Sequence, residues 1–242
     1  MAPTAGPRIS VVTVCLNAAA SIEATLRSVL AQDYPNLEYI VVDGGSTDGT
    51  VGLIRRYSER IAAFVSEPDQ GVYDAMNKGI GLAGGEYLLF LNAGDVLAAK
   101  DVLSRAAAAD ADVLYGDFAY SEGPRKGRVP ADIDKGVFNH QSILYRRSLH
   151  ETFGRYISVK SLTAADYLFF MHLRASGRAS FRKLDLVFSI VDPHGMSSGL
   201  QTFLQVNLVD ALLGRRGRYA TAFRIAVHPL FNFVRGIVRR FL

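Results

Sequence analysis

The chain has one cysteine, Cys15, so it forms no internal disulfide and a reducing compartment is permitted. Cys15 lies inside an apolar run, which reads as a small buried side chain rather than a nucleophile. The opening MAPTAGPRIS contains no apolar core of the kind a secretory leader needs, and no stretch reaches transmembrane length without a charge. The resulting expectation is cytoplasmic. Excess charge is also scarce: 27 Lys+Arg against 23 Asp+Glu leave +4, too mild to indicate nucleic acid as a partner. Repeats and low-complexity tracts are missing. No Walker pattern occurs, and no GxGxxG follows the first strand, which excludes a P-loop or dinucleotide fingerprint.

What is there is an ordinary globular composition, 49% hydrophobic and 21% charged over 242 residues, enough for a sizeable core. Short apolar runs alternate with helical patterns. ISVVTVCL (9–16), LEYIVVD (37–43), IAAFVSE (61–67) and YLLFL (87–91) read as strands; their nearly unbroken apolar character suits a sheet covered on both faces. Between them, a helix capped by Ser21 runs to about Ala31, another follows Asp48, and a third spans about 72–82. That alternation predicts βαβ units and a mostly parallel sheet. The second half is less regular. ADVLYGDFAY (111–120) reads as a strand turning at Gly116-Asp117, 121–130 as a loop or hairpin tip, and SILYRR (142–147) as a short strand. A helix spans 163–176, with Leu168, Phe169 and Met171–His172 on its apolar side. FRKLDLVFSIV (181–191) is a further strand, and the chain after 199 is helical.

In open α/β sheets, ligands bind at the carboxyl ends of the strands. Here each such end is polar: Asn17, then Asp43-Gly44-Gly45-Ser46, then Glu67-Pro68-Asp69-Gln70, then Asn92-Ala93-Gly94-Asp95. One polar loop after a strand is unremarkable, but four on one edge make a site. DGGSTDG has the look of a calcium loop, yet it lacks the later bidentate acid and flanking helices of an EF-hand. A lone acid after a buried strand suits Mg²⁺ or Mn²⁺ completed by phosphate oxygens and water.

The segments ISVVTVCLNAAASIEATLRSVLAQDYPNLEYIVVDGGSTDGT, EPDQGVYDAMNKGI and GEYLLFLNAGD, in that order, resemble glycosyltransferase family 2, inverting enzymes of the GT-A fold. The likeness is dense over 8–100, rests on NHQSILYRR, AADYLFF and HGMSS from 100 to 199, and carries almost nothing beyond 200. Within the family it looks most like small bacterial enzymes that build polysaccharide repeats and glycolipids. The resemblance implies an α/β GT-A (nucleotide-diphospho-sugar transferase) fold with helices on both faces of the sheet. It also implies a nucleotide-diphospho-sugar donor and a lipid-linked or saccharide acceptor. Asp95 takes the place of the last acid of the family's metal-binding DxD, holding Mn²⁺ or Mg²⁺ against the donor diphosphate, with Gly94 letting the backbone approach. Thr13, Asn17, Asp43, Asp69, Lys78 and Asn92 fall where the family lines its nucleotide pocket, with Asp43 accepting from the base. Asp166 matches the aspartate that deprotonates the acceptor, although Ala165 stands where many members carry a second acid. Asp185 is the competing carboxylate. His194 is implied as a further metal ligand or diphosphate contact, and His140, Gln141 and Ser197 as acceptor or diphosphate contacts.

The expected organisation is a GT-A domain over 1–199, with a nucleotide-sugar half (8–95) and an acceptor half (96–199), followed by a helical tail over 200–242. In the tail Val234, Ile237, Val238 and Phe241 share one helical face, with Arg235, Arg239 and Arg240 elsewhere. Such a basic amphipathic helix either lies on an anionic membrane surface through 219–242 or packs on protein. An inactive nucleotide-binding scaffold is the competing function, supported by the incomplete DxD. A nucleotidyltransferase is disfavoured because it needs an early Gly-rich basic loop.

Overall fold

The computed structural model describes residues 6–122, 126–193 and 199–215, together with 217, 220–222 and 225. His194 and Ser197, and nearly all of 219–242, lie outside the described residues.

Four parallel strands begin the fold: β1 (Ile9–Cys15), β2 (Leu37–Asp43), β3 (Ala63–Ser66) and β4 (Tyr87–Phe90). Their order in space is β3-β2-β1-β4, with Cys15 opposite Asp43 and Asp43 opposite Ser66, so their carboxyl ends share one edge. The unbroken apolar runs have the expected cause. Ile9, Val11, Tyr39, Val41 and Leu89 face one side, against α1 (Ile22–Leu30), α2 (Thr50–Arg55) and α4 (Val102–Ala107). The alternating partners Val12, Val14, Ile40, Val42 and Phe90 face the other, against α3 (Val72–Leu82) and α6 (Ala165–Ser176). Each fully buried Val, Leu or Ile contributes roughly 1.5–3 kcal/mol. Gly79 is what lets α3 lie flat on β1, since a Cβ there would sit 2.5 Å from Val12 Cγ1.

The sheet then continues with strands of mixed direction. β8 (Ile143–Arg146) runs antiparallel between β4 and β6 (Val113–Tyr120), β9 (Phe181–Val191) is parallel to β6, and the short β5 (Val96–Leu97) pairs with β9. β7 (Gly127–Val129) forms a hairpin arm on β6. The short helix α5 (Leu149–Phe153) follows β8.

Several local expectations are corrected. Ser21 precedes α1 but makes no capping bond. Gly49, at φ 98°, takes the cap position of α2, while Asp48 Oδ1 accepts from the Thr50 N–H at 3.1 Å. Gly116-Asp117 is a bulge inside β6, not a turn: the register against β9 shifts there, and a side chain on Gly116 would meet Leu186 O. On α6 the buried side is Ala165, Tyr167, Phe169, Phe170, Met171 and Leu173, and His172 is exposed. Finally, α7 (Leu200–Leu212) docks on α6, with Val209 in a cluster with Tyr167 and Met171, and Tyr167 Oη donating to Asp210 at 2.8 Å. The first part of the expected tail therefore packs on the domain. Among the described residues no helix is long and apolar enough to cross a membrane.

Candidate active site

The edge formed by the first four strands is stitched together loop to loop. Asn17 takes a left-handed φ of 49°, which a short polar side chain tolerates better than most. Its N–H donates to Ser46 Oγ at 2.7 Å, and its Oδ1 accepts from the Thr47 N–H at 3.0 Å. The Ala18 N–H donates to Thr50 Oγ1, and the Ala19 N–H to Asp48 Oδ2. The sequence marks Ser46 only as part of a polar strand end and Asp48 only at a helix start, and Thr50 not at all, yet the three fix this wall.

Asp43 organises that wall from beneath. It is fully buried, and Oδ2 accepts from the Gly45 N–H (3.1 Å), the Ser46 N–H (2.9 Å) and Ser66 Oγ (2.7 Å). Oδ1 accepts from Ser46 Oγ and from the Cys15 thiol. Burial pushes its carboxyl up, but these donors outweigh burial and hold it below the usual range. Both carboxylate oxygens are thus engaged within the protein, and Asp43 has no exposed surface. Thr13 is wholly buried in β1, its hydroxyl paired with Tyr39 Oη at 2.9 Å. Asp69 is better placed. Its Oδ1 accepts from the Gly71 N–H at 2.8 Å, while Oδ2 lies over Gly44, where a Cβ would overlap it. Lys78 pins this loop by donating to Pro68 O at 3.0 Å and pairing with Glu67 at 2.9 Å.

At the end of β4 the chain turns sharply. Gly94 adopts φ 101°, open to glycine at little cost, and a Cβ there would find only ordinary contact with Ser21. Glycine is thus required by backbone conformation. Thr25 Oγ1 receives the Gly94 N–H and donates to Asp95 O, locking the turn. The Asp95 carboxylate is 5% exposed. Oδ2 accepts from Gln141 Nε2 at 2.7 Å and Oδ1 from the Asp192 N–H at 2.9 Å, both neutral donors. Burial dominates and raises its pKa, although these bonds and the neighbouring His140 pull the other way. In the same turn Asn92 Oδ1 is buried without a hydrogen-bond partner.

The other carboxylate, Asp166, sits in the first turn of α6 with its side chain 16% exposed. Oδ1 accepts from Tyr73 Oη at 2.7 Å and from the Tyr167 N–H at 2.8 Å, and Oδ2 meets His140 Nδ1 at 2.7 Å. Burial raises its pKa, but His140, Tyr73 and the Tyr167 N–H outweigh burial and leave it below the ordinary value, hence ionised. His140 and Gln141 are consecutive in a 3-10 turn (His140–Ser142) that leads into β8. One residue grips Asp166 and the next grips Asp95. Asp185 is no rival: it is 94% exposed and paired with Arg128 at 2.8 Å. Tyr73 was missed from the sequence, though it stands in EPDQGVYDAMNKGI, because nothing local marks its reach to Asp166.

The sequence profile of Glycosyl transferase family 2 matches residues 10–171, two thirds of the chain. The chain belongs to glycosyl transferase family 2. Among curated family 2 relatives, a PGL/p-HBAD biosynthesis glycosyltransferase of Mycobacterium bovis is 38% identical over 164 residues, 63% of this chain and 64% of that protein. The match thus spans somewhat less than two thirds of that relative. Among solved structures, Staphylococcus aureus TarS in complex with UDP-GlcNAc superposes with TM-score 0.69 at 23% identity, covering 85% of this chain and 66% of that one. The mannosyltransferase PcManGT of Pyrobaculum calidifontis, in complex with GDP-Man and Mn²⁺, superposes with TM-score 0.67 at 25% identity, covering 89% and 66%. The fold of this chain is GT-A, as the resemblance implied.

A divalent cation suits the residues present. Asp95 is a buried carboxylate whose hydrogen-bond donors, the Gln141 amide and the Asp192 N–H, are uncharged, and Asn92 Oδ1 offers a second hard oxygen in the same turn. Among the described residues no cluster of three His, Cys, Asp or Glu is assembled.

Proposed function

We propose that the protein transfers a sugar from a nucleoside-diphosphate donor to a hydroxyl of a lipid-linked or polysaccharide acceptor, inverting the anomeric carbon. The carrying observation is the His140–Gln141 turn, which joins the donor-side carboxylate Asp95 to the acceptor-side carboxylate Asp166. A scaffold protein has no need of two buried acids tied so closely. Family membership supports the reading, and so do the nucleotide-sugar complexes of the two structural neighbours.

In this reading Asp69 and the loop pinned by Asn17, Ser46 and Lys78 receive the nucleoside. Asp95, with Asn92 beside it, holds Mn²⁺ or Mg²⁺. When bound, the ion neutralises charge on the departing diphosphate. His140, Tyr73 and Asp166 form the group that removes the acceptor proton while the acceptor oxygen attacks from the face opposite the diphosphate. The domain halves would meet at this turn, with 8–95 serving the donor and 96–199 the acceptor. The described residues also enclose a cavity of about 60 Å³ against Tyr73, lined by Gln70–Val72 and 158–160 among others. The 219–242 segment would bring the enzyme to an anionic membrane face, and His194 and Ser197 would contact the diphosphate.

The test is incubation with UDP-, GDP- and dTDP-sugars and Mn²⁺, following nucleoside diphosphate release and the anomeric configuration of the product by NMR. Release with inversion is expected. Retention of configuration, or release from no donor, would contradict the proposal.

A further inference from the structure

Helix α7 turns polar groups toward the domain and leucines away from it. On the docked side Thr202 Oγ1 pairs with Thr163 Oγ1 at 2.7 Å, and Gln205 both donates to Ser161 O at 2.7 Å and accepts from the Thr163 N–H at 2.8 Å. Asp210 accepts there from Tyr167 and Arg215, beside buried Val209 and partly buried Val206 and Leu213. On the outer side stand Leu200, Leu204, Leu208 and Leu212, every fourth residue and therefore one ridge, between 36% and 73% exposed. The one charged residue of the helix, Asp210, is buried, so the ridge carries no charge. A helix on a domain surface ordinarily shows charge to water; isolated exposed leucines are commonplace, but a charge-free row of four marks an interaction face.

Charge distribution identifies what that face meets. Seven of the 27 Lys+Arg are arginines that follow Asp210, and no Asp or Glu follows it. Residues 211–242 therefore carry +7, whereas the 20 basic and 23 acidic residues of the first 210 leave −3. A second copy would bring +7 against +7. The ridge is also only about 20 Å long and about 10 Å wide, far short of the roughly 800 Å² per partner of a stable protein interface. An anionic lipid surface suits both features, because leucines enter the boundary of headgroups and acyl chains while arginines meet the headgroups.

The ridge also has a fixed relation to the reaction centre. Ser161 and Thr163, which α7 holds, lie five and three residues before Asp166, and Asp210 of α7 holds Tyr167 just after it. The same segment exposes Ile157 and Val159, and with Lys160, Leu162 and Thr163 it walls the cavity of about 60 Å³ against Tyr73, the residue bonded to Asp166. We propose that the α7 leucine ridge seats the domain itself on an anionic lipid surface, and that the acceptor is drawn from that surface along 157–163. The second clause rests on the glycosyl-transfer reading; the first stands without it.

The test floats the full chain, wild type and the triple variant Leu204→Gln, Leu208→Gln, Leu212→Gln, with vesicles of phosphatidylcholine alone or mixed equally with phosphatidylglycerol. Wild type should bind the mixed vesicles, and the triple variant should partition at least about tenfold less although 219–242 is intact. Leu212→Gln alone should show a smaller loss in the same direction. Tm should stay within about 2 °C of wild type, since these side chains leave water and not a core. Transfer to a water-soluble acceptor should keep its rate, while transfer to a lipid-linked acceptor in the vesicles falls with the bound fraction. Equal flotation of wild type and variant, or binding that ignores phosphatidylglycerol, would overturn the proposal. A Tm loss of several degrees would mean that 219–242 covers the ridge, and a wild-type dimer made monomeric by the variant would mean that a second copy does; either overturns it. Equal loss with both acceptors would remove the acceptor clause. If wild type releases no nucleoside diphosphate from any donor, the glycosyl-transfer reading and that clause fall together, and flotation still decides the ridge.

Discussion

Tyr73→Phe removes one atom from the cluster that controls Asp166, and the consequence can be worked out. The Tyr73 ring is 5% exposed and packs against Tyr156 with centroids 5.7 Å apart, so Phe keeps the packing. What is lost is the 2.7 Å bond from Oη to an ionised carboxylate. Such bonds contribute about 1.5–3 kcal/mol net, and the 16% exposure of the Asp166 side chain lets water replace part of it, which favours the low end. For a chain of this size each kcal/mol moves Tm by about 2–4 °C, so a drop of about 3–6 °C is expected at pH 7. The pH dependence is equally specific. The folded-state pKa of Asp166 lies below its unfolded value, so the stability it contributes is complete above the unfolded pKa and is lost only as pH falls through the folded one. The Tyr73→Phe deficit should therefore stay constant from pH 8 to pH 5 and shrink only below the ordinary carboxylate range. Differential scanning calorimetry of both proteins across that span is the assay. A deficit that changes between pH 8 and pH 6 would mean that the hydroxyl acts through a group titrating there, and the assignment to Asp166 would fail.

Gly44→Ala should leave the fold nearly as stable, since half-buried Asp69 can swing aside, but lower nucleoside diphosphate affinity by about tenfold to a hundredfold, the worth of one charged hydrogen bond; unchanged affinity by calorimetry would remove Asp69 from the donor site. Deleting 219–242 should reduce flotation with anionic liposomes while transfer to a soluble acceptor continues, and an undiminished bound fraction would assign the segment to protein packing. Asp185→Asn should retain near wild-type transfer, because that side chain lies in solvent on β9; a collapse of turnover would show that the wrong carboxylate has been placed at the reaction.

The first half of the fold was legible because β1, β2 and β4 are covered on both faces, and double coverage writes unbroken apolar runs that no surface strand could carry. The polar ends of those strands were legible for the same reason, each standing out as an interruption. Roles within the edge were not. Asp43 and Thr13 have the residue types of pocket liners, yet one is enclosed by three donors of its own loop with Ser66 and Cys15, and the other is paired with Tyr39, and burial of that kind depends on neighbours in space. The pairing of Asp95 with Gln141, 46 positions away, exists only because β8 inserts beside β4 against the direction of the chain. The Tyr73–Asp166 bond spans 93 positions by way of α3 and α6 meeting on one sheet face. In α6 the 3.6-residue period is blurred by aromatic residues on several sides, and His172 was misplaced for that reason.

The account turns on a nucleoside diphosphate held through a cation at Asp95. Thermal unfolding of wild type and Asp95→Asn, each with UDP, GDP or dTDP in Mn²⁺ or in EDTA, tests it directly. A ligand at a hundredfold its dissociation constant adds about 2.7 kcal/mol, or about 5–11 °C for a chain of this length. That rise is expected in wild type with one nucleotide and Mn²⁺, and in neither EDTA nor Asp95→Asn. Equal stabilisation in Mn²⁺ and EDTA, or in both proteins, would contradict it.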